Sequence, residues 1–217
     1  MKNIYLMPGM AANCQIFENI KLDKEKYQLH FIEWLEPDKK ESLTTYCTRL
    51  LSIIKHENPI LIGVSFGGII VQELAKLIKV EKVIIISSVK SPSEFPSRIF
   101  WARKWRLYHF FPTSYVNLIE NVTKKVVYSK KIKHRIDMYQ KYLSVRSKNY
   151  LDWAFKNVII WENKNPVENV FHLHGTKDHI FPAKKVENAY FLENGTHIMV
   201  LVNAKWINKK LEEILEK

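Results

Sequence analysis

Between Pro59 and Lys79 the sequence passes without a break from a wholly apolar stretch into a helix-patterned one. The apolar stretch is Ile60-Leu61-Ile62-Gly63-Val64, the helical one runs from Ile69 to Lys79, and Gly63-Val64-Ser65-Phe66-Gly67 forms the seam. A strand that is apolar at every position must be covered on both faces. Helices crossing between parallel strands supply such cover, and a helix follows this stretch at once.

The same alternation holds around it. Asn3 to Met7, Tyr27 to Trp34 and Lys82 to Ser87 read as strands. Ser42 to His56 reads as a helix, with Leu43, Tyr46, Cys47, Leu50, Leu51 and Ile54 at three- and four-residue spacing behind a Ser42 cap. A short helix is expected near Gln15 to Ile20. Val167 to His174 and Asn188 to Leu192 add a fifth and a sixth strand, and Ala204 to Leu215 a closing helix. The expected fold class is α/β, a doubly wound parallel sheet of about six strands. From Arg98 to Ile160 the rhythm stops and Trp, Tyr, Phe, Lys and Arg accumulate without strand alternation, so several helices are expected there. The chain thus divides into a core, residues 1–90 and 165–217, and a helical insertion, residues 91–164.

At 217 residues, 47% hydrophobic and 26% charged, the chain suits a single globular domain and not a disordered one. No run approaches the roughly 18 to 20 apolar residues of a membrane span, and the start of the chain has neither the length nor the cleavage site of a signal peptide. A cytoplasmic protein is expected, with Cys14 and Cys47 as two free thiols. The net charge of +12 would suit nucleic acid, but no reading motif accompanies it and no nucleic-acid partner is expected. The charge is segregated: Lys90 to Asn165 holds 16 Lys and Arg against 5 Asp and Glu, and the rest of the chain 18 against 17.

The seam carries the chemistry. A serine between two glycines, on a sharp turn from strand to helix, presents its hydroxyl at the sheet edge, where the start of the helix aims N–H groups at a developing oxyanion. The sequence fits neither a dinucleotide-binding loop nor a P-loop. A serine hydroxyl needs a base, and the base needs an orienting acid. His197, in Gly195-Thr196-His197, follows the last strand, and Asp178, in His174-Gly175-Thr176-Lys177-Asp178, follows the fifth. In a parallel sheet both loops reach the edge that carries Ser65. His174, before a glycine, reads as a local packing or hydrogen-bonding residue, and Glu193 and Asp152 as weaker candidates for the acid. His172, His174 and His179 lack metal-ligand spacing, so neither a metal nor another cofactor is expected.

With Pro8-Gly9-Met10 after the first strand, the Ser65 motif, His174-Gly175-x-x-Asp178 and Gly195-x-His197 in this order, the chain resembles the α/β-hydrolase superfamily over nearly its whole length. That resemblance implies Ser65, His197 and Asp178 as a catalytic triad and the backbone N–H groups of Met10 and Phe66 as the oxyanion hole. It also implies a core lacking the family's leading hairpin, with the insertion as a cap. The first loop reads Pro-Gly where the family often has His-Gly.

The insertion contains Phe100, Trp101, Trp105, Tyr108, Phe110, Phe111, Tyr115, Tyr139, Tyr142 and Trp153, most of them expected to pack the cap and a few to line an acyl pocket. Its cations include Arg98, Arg103, Lys104, Arg106, Lys130, Lys131, Lys133, Arg135, Arg146 and Lys148. Trp101, Trp105, Arg103 and Arg106 are taken as candidate substrate-binding residues. The activity expected is hydrolysis of an acyl ester or thioester, with a small-molecule acyl substrate or an acyl group carried by an acidic protein or coenzyme A. Carbon–carbon or amide hydrolysis by the same groups, and a binding protein of the same fold, are the alternatives.

Overall fold

In a computed structural model, residues 1–106, 138 and 140–217 are described. Tyr108, Phe110, Phe111, Tyr115, Tyr139, Lys130, Lys131, Lys133 and Arg135 lie outside the described residues. Six parallel strands, β1 (Lys2–Met7), β2 (Tyr27–Phe31), β3 (Ile60–Val64), β4 (Lys82–Ile86), β5 (Val170–Gly175) and β6 (Tyr190–Leu192), form one sheet in the order β2-β1-β3-β4-β5-β6.

Alternate side chains sort to the two faces. Tyr5, Met7, Leu61, Val83 and Ile85 join the core on one face, and Ile4, Leu6, Ile62, Val64, Ile84 and Ile86 the core on the other. Helices α1 (Leu43–Leu50), α2 (Phe66–Ala75) and α4 (Lys148–Ile160) bury Tyr46, Leu50, Ile70, Leu74 and Trp153 in the first core. Helix α5 (Ala204–Leu215) and the 3-10 turn Cys14–Phe17 bury Ile207, Leu211, Ile214 and Phe17 in the second. The sheet is therefore doubly wound, and β3 is buried at all its positions, as its unbroken apolarity requires. Within the insertion, α3 (Ser97–Lys104) and α4 belong to the helices that cap the core. Among the described residues no helix is long and apolar enough to cross a membrane.

Several elements are shorter than the sequence pattern suggests. The helix from Ser42 keeps its cap, the Ser42 side chain accepting from the Thr45 N–H, but gives way to a 3-10 turn at Leu51–Ile53. The Tyr5 hydroxyl accepts from the Lys55 N–H at 2.9 Å and bonds His56 Nδ1 at 2.7 Å, drawing the chain out of the helix onto the sheet. β2 stops at Phe31, and the Tyr46 hydroxyl then brackets Leu35, accepting from its N–H and donating to its oxygen, both at 2.9 Å.

The strand order reverses beside β1. The chain steps from β1 outward to β2 and then returns to lay β3 on the other side of β1. Loops leaving β1 and β3 diverge there, opening a crevice at the carboxyl edge. The loop after β1 holds Pro8 to Ala12, and Ser65 follows β3 directly.

Candidate active site

Ser65 stands between β3 and α2 with φ 53° and ψ −120°. That left-handed backbone is strained for a residue with a Cβ and persists only where the surroundings enforce it. The flanking glycines allow the turn by close approach: a Cβ on Gly63 would run into the backbone of Gly67, and one on Gly67 into the carbonyls of Met7 and Pro8. The Ser65 N–H donates to the Ile86 oxygen at 2.9 Å, and its own oxygen accepts from the Ser88 hydroxyl at 2.7 Å.

The hydroxyl faces His197. Ser65 Oγ and His197 Nε2 are 3.0 Å apart, and His197 Nδ1 lies 2.8 Å from Asp178 Oδ2. An ionised carboxylate only accepts, so Nδ1 carries the hydrogen and Nε2 presents its lone pair to the serine. Gly175 and Gly195 lie in backbone contact, which joins the loop after β5 to the loop before His197, and the Lys177 N–H donates to the Gly195 oxygen at 2.8 Å. Asp178 is 3% exposed, and its Oδ1 accepts from the N–H groups of Ile180 at 2.8 Å and Phe181 at 2.9 Å. Burial pushes the Asp178 carboxyl up, but the His197 bond and charge and the Phe181 N–H outweigh it and hold the group below its ordinary value.

His174 is fully buried and bonds locally. Its Nε2–H donates to the Phe181 oxygen at 2.8 Å, so its Nδ1 accepts from His172 Nε2–H at 3.1 Å. Burial lowers both imidazoles, His172 the further, and keeps them neutral. Of the other acid candidates, Glu193 is exposed and Asp152 pairs with Lys148 on α4. Cys14 and Cys47 are free thiols, and burial pushes the Cys14 thiol up to about 11. Among the described residues no group of three or more His, Cys, Asp and Glu is placed to hold a metal.

Phe66 is the first residue of α2, so its N–H has no carbonyl one turn back to bond. Met10 belongs to a turn in which the Ala12 N–H donates to the Gly9 oxygen at 3.0 Å and Ala11 takes φ 64°. Both Met10 and Phe66 border a cavity of about 990 Å³ that opens onto Ser65 and His197. Its wall takes Ile16, Tyr142 and Val200 from the core on one face of the sheet, and Ile99, Val158 and Phe181 from the other. Among the described lining residues Arg98 is the one with a fixed charge, and its guanidinium donates to the oxygens of His179 and Ile180.

The structure brings Ser65, His197 and Asp178 together and sets Met10 and Phe66 on the same cavity. Trp101, Trp105, Arg103 and Arg106 are not among the described lining residues. Trp101 and Trp105 are 49% and 64% exposed, Arg103 pairs with Glu162, and Arg106 is exposed. The face of α3 that borders the cavity carries Arg98, Ile99 and Ala102 instead. The sequence reading missed Trp34 and Tyr150, which bond the turn at Met10. No local pattern marks them, because their partners are 25 and 139 residues away along the chain.

No protein-family model matches the sequence, and no curated protein matches it. Solved structures do match. A bromoperoxidase from Bacillus anthracis superposes with a TM-score of 0.68 at 15% identity, covering 100% of this chain and 92% of its own. An esterase from Exiguobacterium antarcticum gives 0.67 at 15% identity, covering 100% and 92%. A lipase-esterase related protein from Clostridium acetobutylicum gives 0.62 at 18% identity, covering 98% and 93%. The chain shares the fold of these structures, a doubly wound parallel sheet of the α/β-hydrolase architecture.

Proposed function

We propose that this protein is a serine hydrolase that cleaves acyl esters, with Ser65 as nucleophile, His197 as base and Asp178 as its orienting acid. The observation that carries the reading is the unbroken chain from Ser65 Oγ through His197 to a buried carboxylate, at 3.0 and 2.8 Å. Ser65 attacks the ester carbonyl while His197 Nε2 takes its proton, and the tetrahedral oxyanion sits against the Met10 and Phe66 N–H groups. His197 then returns the proton to the leaving alcohol as the carbon–oxygen bond breaks. Water, deprotonated by the same imidazole, attacks the acyl-enzyme and releases the acid.

The apolar wall supports an uncharged acyl chain as the bound arm. It favours a plain ester over an acyl group on coenzyme A or an acidic carrier, because Arg98, the described lining residue with a fixed charge, is engaged by backbone oxygens. In this proposal residues 91–164 act as the cap and the remainder as the catalytic core. Two free thiols suit a reducing compartment, so the reaction is assigned to the cytoplasm.

A fluorophosphonate probe and a series of p-nitrophenyl esters of rising acyl length test the reading. Wild type should label and turn over. Ser65→Ala and His197→Ala should each lose at least about a thousandfold in kcat. Folded wild-type protein that neither labels nor turns over would refute the assignment. A kcat/KM that falls steeply with added salt on coenzyme A thioesters, and exceeds that on plain esters, would replace the plain ester with a charged carrier.

A further inference from the structure

Three consecutive peptide planes around Met10 are held from outside the turn they form. In a trans peptide the carbonyl oxygen and the amide hydrogen point to opposite sides of one rigid plane. The Gly9 oxygen accepts from the Trp34 Nε1–H at 3.1 Å and from the Ala12 N–H at 3.0 Å. The Met10 N–H is therefore turned away from Trp34. In the next plane the Ala11 N–H donates to the Tyr150 hydroxyl at 3.2 Å. In the third the Ala11 oxygen accepts from the Val145 N–H at 3.0 Å. The turn adjoins Ser65, since a Cβ on Gly9 would stand 3.3 Å from Ser65 Cβ and 4.0 Å from its Oγ.

The two side chains are themselves fixed. Tyr150 is fully buried in α4, and burial holds its phenol far above the usual range, so it remains a neutral hydroxyl. The Trp34 ring stacks on Phe66 at 5.4 Å with the planes 10° apart, and meets Tyr150 at 5.1 Å. One aromatic group thus touches Phe66, which supplies one of the two oxyanion N–H groups proposed above, and bonds the turn that supplies the other. Without these bonds only the turn's own Gly9–Ala12 bond would restrain Ala11 at φ 64°, a conformation that residues with a Cβ adopt reluctantly.

We propose that Trp34 and Tyr150 are positioning residues that aim the Met10 N–H at the oxyanion, so that α4 of the insertion completes a site whose reacting groups all lie in the core. This rests on the hydrolase reading given above. It separates binding of the ground state from binding of the transition state, because a loosened donor weakens only the second.

The test is Tyr150→Phe, which keeps the ring and removes the acceptor, beside Trp34→Phe, which removes the indole N–H. The assays are kcat per active site titrated by burst, KM on p-nitrophenyl butanoate, and inhibition by an arylboronic acid that forms a tetrahedral adduct on the serine. Losing an oxyanion donor outright costs about 10²- to 10³-fold, so a misaimed one should lower kcat by roughly ten- to a hundredfold in each variant. Boronate affinity should fall with kcat while KM stays within about twofold. A merely structural role would reduce the number of titratable sites and leave kcat per site unchanged, and that result overturns the proposal. If Tyr150→Phe does not fold, the same outcomes are read from Trp34→Phe. A wild type no faster than Ser65→Ala would instead overturn the hydrolase reading, and this inference with it.

Discussion

Two turns border the cavity, and both hold a residue other than glycine at positive φ: Ser65 at 53° and Ala11 at 64°. They reach that state with different shares of local and distant support. The Ser65 turn is cleared by its own glycines, Gly63 and Gly67, and is braced between the strand it ends and the helix it starts. The Ala11 turn has one internal bond and otherwise depends on Trp34, Val145 and Tyr150. A strained turn built from its neighbours leaves a mark in the sequence, while one held by distant side chains leaves none. The difference also divides sensitivity. The first turn should fail when its own residues change, and the second when its supports change.

Gly67→Ala is the strongest way to break that contrast. Its methyl would collide with the Met7 and Pro8 carbonyls, backbone atoms that cannot rotate aside. Overpacking of this kind costs about 1–3 kcal/mol, and more where backbone must move. Loss of soluble folded protein, or a large drop in Tm with no measurable turnover, is expected; wild-type Tm and activity would show that the turn is not so confined.

The Asp178–His197 pair is intermediate, since the two residues come from separate loops joined where Gly175 meets Gly195. Asp178→Asn should fold and retain Ser65, yet lower kcat by about 10⁴-fold as His197 loses the partner that sets its tautomer. Steady-state kinetics on the purified variant measure this, and a loss under about tenfold would remove Asp178 from the mechanism.

The same residue predicts a pH effect. The folded Asp178 carboxyl lies below its ordinary value, so it contributes stability that is fully present above the unfolded pKa of about 4 and is lost as pH falls through the lower, folded value. Wild type should lose Tm on that acid limb more steeply than Asp178→Asn, whose side chain does not titrate. Parallel melting curves from about pH 5 down to pH 2.5 would show otherwise.

The smallest effect is expected at Ala11 itself. Ala11→Gly relieves about 1 kcal/mol of left-handed strain and adds a similar unfolded-chain entropy, so stability should move by less than about 0.5 kcal/mol. Chemical denaturation measures it. A shift above about 1 kcal/mol in either direction would mean that the turn is governed by its own residues after all.

Much of this molecule is legible in its sequence because the signals are local. Short apolar runs mark the strands, and their alternation with helices implies parallel crossovers. The glycines around Ser65 mark its turn, and chain order alone brings the loops bearing Asp178 and His197 to the edge where Ser65 stands. Element ends were less legible, as at Leu51, where the Tyr5 hydroxyl intercepts the Lys55 N–H from across the fold. The candidate pocket residues of α3 were legible only as aromatic and basic. Which face of a short helix meets a cavity is decided by what packs behind it, so Ile99 and Ala102 line the wall while Trp101 and Trp105 are exposed. Ser65, Asp178 and His197 could be read from the sequence because each sits in its own short motif after a strand, and chain order carries those motifs to one sheet edge. Trp34 and Tyr150 became visible only in the tertiary structure, since a hydrogen bond across 139 residues imposes no pattern on the residues between.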